Sequence, residues 1–208
     1  MLKLNKNKIS TLQLTEMAIL LALVIALQSM SSFGVVSVCL CLVPITLGAM
    51  ILDWKCAGIL GFAFGLVAIF WGIIGKDMFT FYLFSASPIM TILICLVKGT
   101  LAGIVPALIY NALKKYDPLM ASIVAAVSAP IVNTGIFTIG SLIIKNDVID
   151  VAEKLGISYD PNATSFIIFL FVVLIGVNFF FELLINAIFA PSLCKLENII
   201  NQRLKMSK

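Results

Sequence analysis

The stretch SFIIFLFVVLIGVNFFFELLINAIFAP, residues 165–191, decides the fold class of this chain. It contains a single ionisable side chain, Glu182. A helix that crosses the ~30 Å hydrocarbon core of a bilayer needs ~20 predominantly apolar residues. The stretch therefore predicts a membrane-spanning helix.

The rest of the chain has the same character. Of its 208 residues 62% are hydrophobic and 12% are charged, and its mean hydropathy is +1.15. Soluble domains are about 45–50% apolar and about 25% charged. We predict an all-α integral membrane protein in which residues 1–208 form a single transmembrane domain, a six-helix bundle. The predicted spans are residues 12–31, 37–52, 56–74, 87–111, 119–144 and 165–191, the second being short and bent by Pro44.

The basic residues predict the orientation of this bundle. With six spans, ten Lys and Arg side chains fall on the side of the two termini and three fall on the opposite side. Cytoplasmic loops carry the excess of Lys and Arg, so both termini are expected in the cytoplasm. The acidic connection 145–164 is then external.

Several classes of protein are disfavoured. The chain has no histidine and no G-x-x-x-x-G-K-[ST] phosphate loop, so we expect neither an enzyme nor an ATPase. We expect no metal, no cofactor and no nucleic-acid partner. The five cysteines contain no C-x-x-C pair, and we expect them to act as small apolar side chains.

Among the charged and amide side chains inside the predicted spans, five in the last three spans are the most informative: Lys98, Asn133, Asn178, Glu182 and Asn186. Such groups are costly in lipid and normally face the interior of the bundle. Two interpretations are open. Either Lys98 and Glu182 neutralise each other while the amides hold helices together, or Lys98, Asn133 and Asn178 line an outward-facing pocket for a polar solute.

Two neighbouring features bear on that pocket. The sequence PIVNTG, residues 130–135, combines Pro, Asn133, Thr134 and Gly and predicts an irregular segment in the fifth span. The aromatic connection that includes Trp71 and Tyr82 and ends at Ser87 is either a membrane-interface belt or a lid over a solute.

Small residues mark two helix faces. Ala18, Ala22 and Ala26 repeat every fourth position, which suits either packing within the chain or docking onto a partner subunit. Gly61 and Gly65 form a second motif of this kind, for which packing within the chain is the favoured interpretation.

Several segments, taken in order, resemble the substrate-binding S components of energy-coupling factor (ECF) transporters. The alanine stripe resembles the A-x-x-x-A motif in the first helix of that family. The other similar segments are residues 43–49 (VPITLGA), 58–66 (GILGFAFGL), 98–103 (KGTLAG) and 129–135 (APIVNTG).

The resemblance implies a multi-pass subunit in a bacterial plasma membrane that captures a water-soluble vitamin at the outer face, pantothenate-like or folate-like. Its implied partners are membrane lipid, a coupling transmembrane subunit docked on Ala18, Ala22 and Ala26, and two ATPase subunits. The candidate substrate-binding residues are Lys98, Asn133, Thr134, Asn178, Trp71, Tyr82 and Ser87. The alternative is a small self-sufficient carrier or channel, ion-coupled through Glu182.

Overall fold

The computed structural model describes residues 11–30 and 40–206, which contain helices and turns but no strand. The elements in chain order are α1 (Thr11–Met30), α2 (Leu42–Ile51), α3 (Trp54–Ile73), α4 (Met78–Ala86), α5 (Pro88–Leu113), α6 (Pro118–Ile143), α7 (Lys145–Lys154), α8 (Phe166–Phe169), a π turn (Leu170–Ile175) and α9 (Gly176–Met206).

Within the described residues, five stretches are long and apolar enough to cross a membrane. They are Thr11–Ser29, Trp54–Ile73, Pro88–Leu113, Pro118–Ile143 and Phe166–Ile200. The prediction of an all-α membrane protein is confirmed in this form. The second predicted span is reduced to the ten residues of α2, which rise ~15 Å, about half of a hydrocarbon core. Residues 31 and 37–39 of the first two predicted spans lie outside the described residues.

Aspartates fix where three helices begin. Asp53 accepts a hydrogen bond from the Cys56 amide at 2.8 Å and caps α3. Asp77 caps α4 through the Thr80 amide, and Asp117 caps α6 through two amides of its first turn. A carboxylate at this position satisfies amides that have no partner within the helix, so the polar interruptions between apolar runs become helix starts.

Glycines let α3 and α5 pack with their backbones in contact. A Cβ atom added at Gly61 would overlap the carbonyl oxygen of Gly99, and one added at Gly65 would lie 2.6 Å from the carbonyl oxygen of Cys95. Close approach of this kind is what small-xxx-small motifs provide in membranes. The prediction that Gly61 and Gly65 serve packing within the chain is confirmed.

Contacts between helix ends give the bundle two distinct ends. The Lys76 ammonium, just after α3, donates a hydrogen bond to the carbonyl of Ser29, so α1 and α3 finish at the same end. We call it the cap end, because α4 and α7 pack there. At the other end, the terminal end, the Tyr110 side chain lies beside Glu197 and Ser122, so α5, α6 and α9 meet there.

The irregular backbone lies in a different helix from the one expected. The prediction of an irregular segment at residues 130–135 is wrong, because α6 continues as an α-helix through Pro130. The departure from α geometry is the π turn, which stands between α8 and α9. Proline removes one backbone donor from a helix, and the contacts of α6 with α5 and α9 hold the remaining turns in place.

Large apolar side chains cover the outside of the bundle, as expected for a surface that faces lipid. Phe180, Val172 and Ile188 are each more than 60% exposed. Cys56, Cys95 and Cys194 are free and buried, in accord with the expectation for small apolar side chains. Cys41 is disulfide-bonded, so that expectation is wrong at this position.

Candidate functional site

Two short helices that the sequence analysis treated as connections close the cap end. The helix α4 occupies most of the aromatic connection, and α7 occupies half of the acidic one. They pack on each other and, with α8, share an apolar cluster that contains Leu83, Val148 and Phe169. This cluster, which we call the cap cluster, separates the interior of the bundle from the cap end.

Beneath the cap cluster are four buried polar atoms for which the described residues provide no hydrogen-bond partner. They are Trp71 Nε1, Asn133 Oδ1, Ser141 Oγ and Asn178 Oδ1. We call these four residues the unpartnered set. Asn133 is 8% exposed and Ser141 is fully buried. More than nine in ten buried polar groups in proteins have a partner, and an unmet one costs ~1–3 kcal/mol.

The heights of these residues follow from the contact at the terminal end. Phe137 lies fifteen residues beyond Ser122 along α6, and Glu182 lies fifteen residues before Glu197 along α9. Because Tyr110 touches both starting points, Phe137 and Glu182 lie at similar heights, ~22 Å from Tyr110.

Ser141 lies four residues beyond Phe137 toward the cap end, and Asn178 lies four residues beyond Glu182 in the same direction. These two residues therefore also lie at similar heights. Asn133 lies one turn below Phe137, and Trp71 lies near the cap-end terminus of α3. The unpartnered set therefore occupies the half of the bundle that is closer to the cap.

Lys98 enters the same region from α5. Its ammonium lies 5.3 Å from the centroid of the Phe137 ring. Phe137 in turn packs edge-on against Phe79 of α4, with ring centroids 5.9 Å apart. A cation held against an aromatic face gains ~0.5–2 kcal/mol, and here that contact connects the bundle interior to the cap.

Trp71 is tied to the end of α1. The Lys76 ammonium lies 4.1 Å from the centroid of the Trp71 ring and donates its hydrogen bond to the Ser29 carbonyl. The ring face is thereby occupied, whereas the indole N–H is buried and has no partner among the described residues. Trp71 can offer a ligand one hydrogen-bond donor.

The other three predicted binding residues have more local roles. Tyr82 belongs to the cap cluster, and the Lys154 ammonium lies 6.0 Å from its ring centroid, so this contact joins α4 to α7. The Ser87 carbonyl accepts from the Thr91 hydroxyl at 2.7 Å where α4 meets α5. Thr134 is buried next to Asn133, and its carbonyl accepts from Thr138 Oγ1.

The polar face of α9 divides into two parts. Asn186 is satisfied, because its amide nitrogen donates to the Glu182 carbonyl at 2.8 Å and its oxygen accepts from Thr46 Oγ1 at 3.3 Å. This amide holds α9 to α2, as the stapling interpretation expects. Asn178, two turns closer to the cap, has an unpartnered oxygen and fits the pocket interpretation.

Sequence reasoning missed Ser141 and Phe137. Both lie on the face of α6 that carries Asn133, at spacings of four and eight residues. That spacing was the available signal, but serine is common in membrane helices and phenylalanine was taken as apolar filling.

Two clefts open on the surface: one of about 240 Å³ beside Lys145 and Asp147, and one of about 320 Å³ beside Phe62 and Thr100. Neither includes a residue of the unpartnered set.

The alanine stripe lies on the exposed side of α1. Ala18, Ala22 and Ala26 are all exposed, whereas Leu20 and Val24 form the buried side of α1. On the described part of α1 the stripe thus forms an exposed face of small side chains.

Within the described part of the chain no three His, Cys, Asp or Glu side chains are grouped so as to hold a metal ion. No protein-family model matches the sequence, and neither a curated protein nor a solved structure matches it. Assignment of a function therefore rests on the chemistry of this chain.

Proposed function

We propose that this chain is the substrate-capture subunit of an ATP-driven importer of the ECF type, binding a small polar solute beneath the cap. The observation that carries the proposal is the unpartnered set. Three of its four members, Trp71, Asn133 and Asn178, are residues that the sequence analysis had selected as solute contacts.

The chemistry of the set favours a ligand over a structural role. Residues that hold helices together end in satisfied hydrogen bonds, as Asn186 does with Thr46. Asn133, Ser141 and Asn178 instead present buried oxygens without a partner, and Trp71 presents a buried donor. A solute that supplied the matching groups would remove a cost of ~1–3 kcal/mol per atom on binding.

Lys98 suggests that the solute carries a negative charge. An ammonium inside a bundle favours a carboxylate, which accepts charge-assisted hydrogen bonds. The oxygens of the unpartnered set suit hydroxyl or amide N–H groups. A vitamin acid such as pantothenate or a folate is therefore our leading candidate for the solute.

The distribution of charge supports a cap end that faces outward in a bacterial plasma membrane. The terminal end carries the exposed lysines Lys55, Lys114, Lys115 and Lys195, and the cap end carries the exposed lysines Lys76, Lys145 and Lys154. Over the whole sequence the predicted spans divide Lys and Arg ten to three in favour of the terminal end. By the positive-inside rule the terminal end belongs in the cytoplasm. Because α1 and α3 both end at the cap end, the chain between them has to cross back to the terminal end. This supports six crossings with both termini inside.

The exposed alanine stripe supports a partner role for α1. We assign to it the docking of a coupling transmembrane subunit, which would connect the chain to two ATPase subunits. A stripe of alanines lets another helix approach closely within lipid.

Mass spectrometry of small molecules released from gently purified protein tests the proposal. We expect a stoichiometric vitamin-like acid. Isothermal titration with that compound should then show weaker binding for Lys98→Ala and Asn133→Ala, by at least tenfold. Lys114→Ala and Asn111→Ala are matched controls, because Lys114 is exposed and the Asn111 amide already donates to the Ala107 carbonyl.

An empty protein that binds neither pantothenate, folate nor other vitamins would contradict the proposal. Solute flux into liposomes by this chain alone, abolished by Glu182→Gln, would establish the self-sufficient carrier instead. Unchanged affinity in both the Lys98 and Asn133 variants would refute the assignment of the site.

A further inference from the structure

The buried face of the last span changes register at the π turn. On the cap side the buried positions include Phe166 and Leu170, and on the other side they include Ile175, Glu182 and Asn186. In a continuous α-helix, which turns ~100° per residue, Glu182 would lie ~120° away from the face of Leu170. In the structure both side chains are buried, so the two segments do not share one α-helical register.

The π turn absorbs this difference. A π turn closes with i to i+5 hydrogen bonding and therefore accommodates one more residue than an α turn. The step of five residues from Leu170 to Ile175 matches such a turn. As a result Leu170, Asn178 and Glu182 are directed toward the same side of the helix.

The turn depends on the absence of a side chain at Gly176. A Cβ atom built on Gly176 would overlap the carbonyl oxygen of Phe171, five residues earlier. The obstruction is backbone rather than a flexible side chain. An alanine here requires the turn to tighten to α geometry, which rotates one segment against the other by ~100°.

We propose that Gly176 is a positioning residue: by permitting the π turn, it sets the rotational register of α9 and aims Asn178 into the region beneath the cap. The inference rests on the proposed function in so far as Asn178 contacts the solute. The register itself is a property of the helix and is testable without any solute.

Two contacts report the register of the two segments. Above the turn, Tyr159 packs on Phe169 with ring centroids 5.0 Å apart. Below it, Thr46 hydrogen-bonds Asn186. Cysteine pairs introduced at each contact, Tyr159→Cys with Phe169→Cys and Thr46→Cys with Asn186→Cys, are treated in nanodiscs with a short bifunctional thiol reagent. The linked peptides are identified by mass spectrometry.

We expect both links in the otherwise unchanged chain and in the Gly135→Ala control, since a Cβ at Gly135 meets nothing within 4 Å. Gly176→Ala should lose at least one link. Deletion of Val172, a 67% exposed residue within the turn, removes the additional residue. The deletion combined with Gly176→Ala should restore both links, which a purely steric role of Gly176 would not predict.

Retention of both links in Gly176→Ala would overturn the proposal, as would failure of the deletion to restore them. If Gly176→Ala cannot be purified, deletion of Val172 alone decides: both links retained supports the proposal, and a lost link refutes it.

Titration with pantothenate and folate separates this inference from the proposed function. If the cross-links form as expected but the unaltered protein binds neither compound, the inference about the helix register stands and the proposed function is refuted. Full affinity in a Gly176→Ala protein that has lost a link would refute the aiming of Asn178.

Discussion

Two buried serines of α6 should respond in opposite ways to the same substitution. Ser128 Oγ donates to the Ala125 carbonyl at 2.7 Å, whereas the fully buried Ser141 Oγ has no partner among the described residues. We expect Ser128→Ala to lower the free energy of unfolding of the solute-free protein and Ser141→Ala to raise it.

The magnitudes follow from the contacts of the two hydroxyls. An unmet buried polar atom costs ~1–3 kcal/mol, and its removal from Ser141 leaves a gap of roughly 15 Å³ that costs ~0.4 kcal/mol. The net gain is therefore ~0.6–2.6 kcal/mol. Loss of the satisfied bond at Ser128 costs ~0.5–1.5 kcal/mol. At ~2–4 °C per kcal/mol for a chain of this size, the melting temperatures should differ by at least ~2 °C.

Thermal unfolding of both variants in one detergent, after mass spectrometry has confirmed that they are solute-free, makes the comparison. Added solute should stabilise Ser128→Ala as much as the unaltered protein and Ser141→Ala less. If Ser141→Ala melts at or below the temperature of Ser128→Ala, its hydroxyl is satisfied in the solute-free protein. The reasoning that connects the unpartnered set to a solute would then be refuted.

Two further predictions concern the helix surfaces. Ala22→Leu should abolish vitamin uptake by cells that express the whole transporter and leave vitamin binding to the purified chain unchanged. Ala112→Leu, at another exposed alanine, is the control. Retained uptake in the Ala22→Leu variant would exclude docking at the stripe. Gly61→Ala should separate α3 from α5 and lower the melting temperature by several degrees, whereas Gly135→Ala should be neutral or stabilising by up to ~1 kcal/mol because alanine favours a helix; equal melting of the two would contradict backbone contact at Gly61.

The sequence predicted the fold well where apolar runs were long. The long spans appear within a few residues of their predicted bounds, with the last one continuing to the end of α9, because ~20 apolar residues have few alternatives to a membrane helix. The short helices α4 and α7 escaped notice because segments of nine or ten residues between long apolar runs resemble connections. The spacing of Val148, Val151 and Ala152, all buried, was nonetheless a readable helical signal in α7.

The candidate site was only partly predictable. Asn133 and Asn178 were identifiable because amides are conspicuous in apolar helices, and Trp71 because it stands at the edge of one. Whether an amide has hydrogen-bond partners depends on residues of other helices. Thr46 donates a hydrogen bond to Asn186, whereas the oxygen of Asn178 has no partner among the described residues. The π turn was hidden for the same reason, since its signal is a change of buried face that appears only after the partners of α9 are known.

The backbone contact between α3 and α5 has a consequence for the order in which the chain assembles. Glycines at such close backbone approach bring Cα–H groups toward carbonyl oxygens, the usual setting for weak hydrogen bonds that do not depend on side-chain shape. Helices insert into a bilayer before they associate, so this pair can join as soon as α5 has been inserted, with α4 as the tether. In the apolar window of α1 only 11% of the residues are buried, so this helix contributes little to that nucleus. We expect α1 to pack against the bundle last. We also expect that it can change the helices it contacts without altering the rest of the fold.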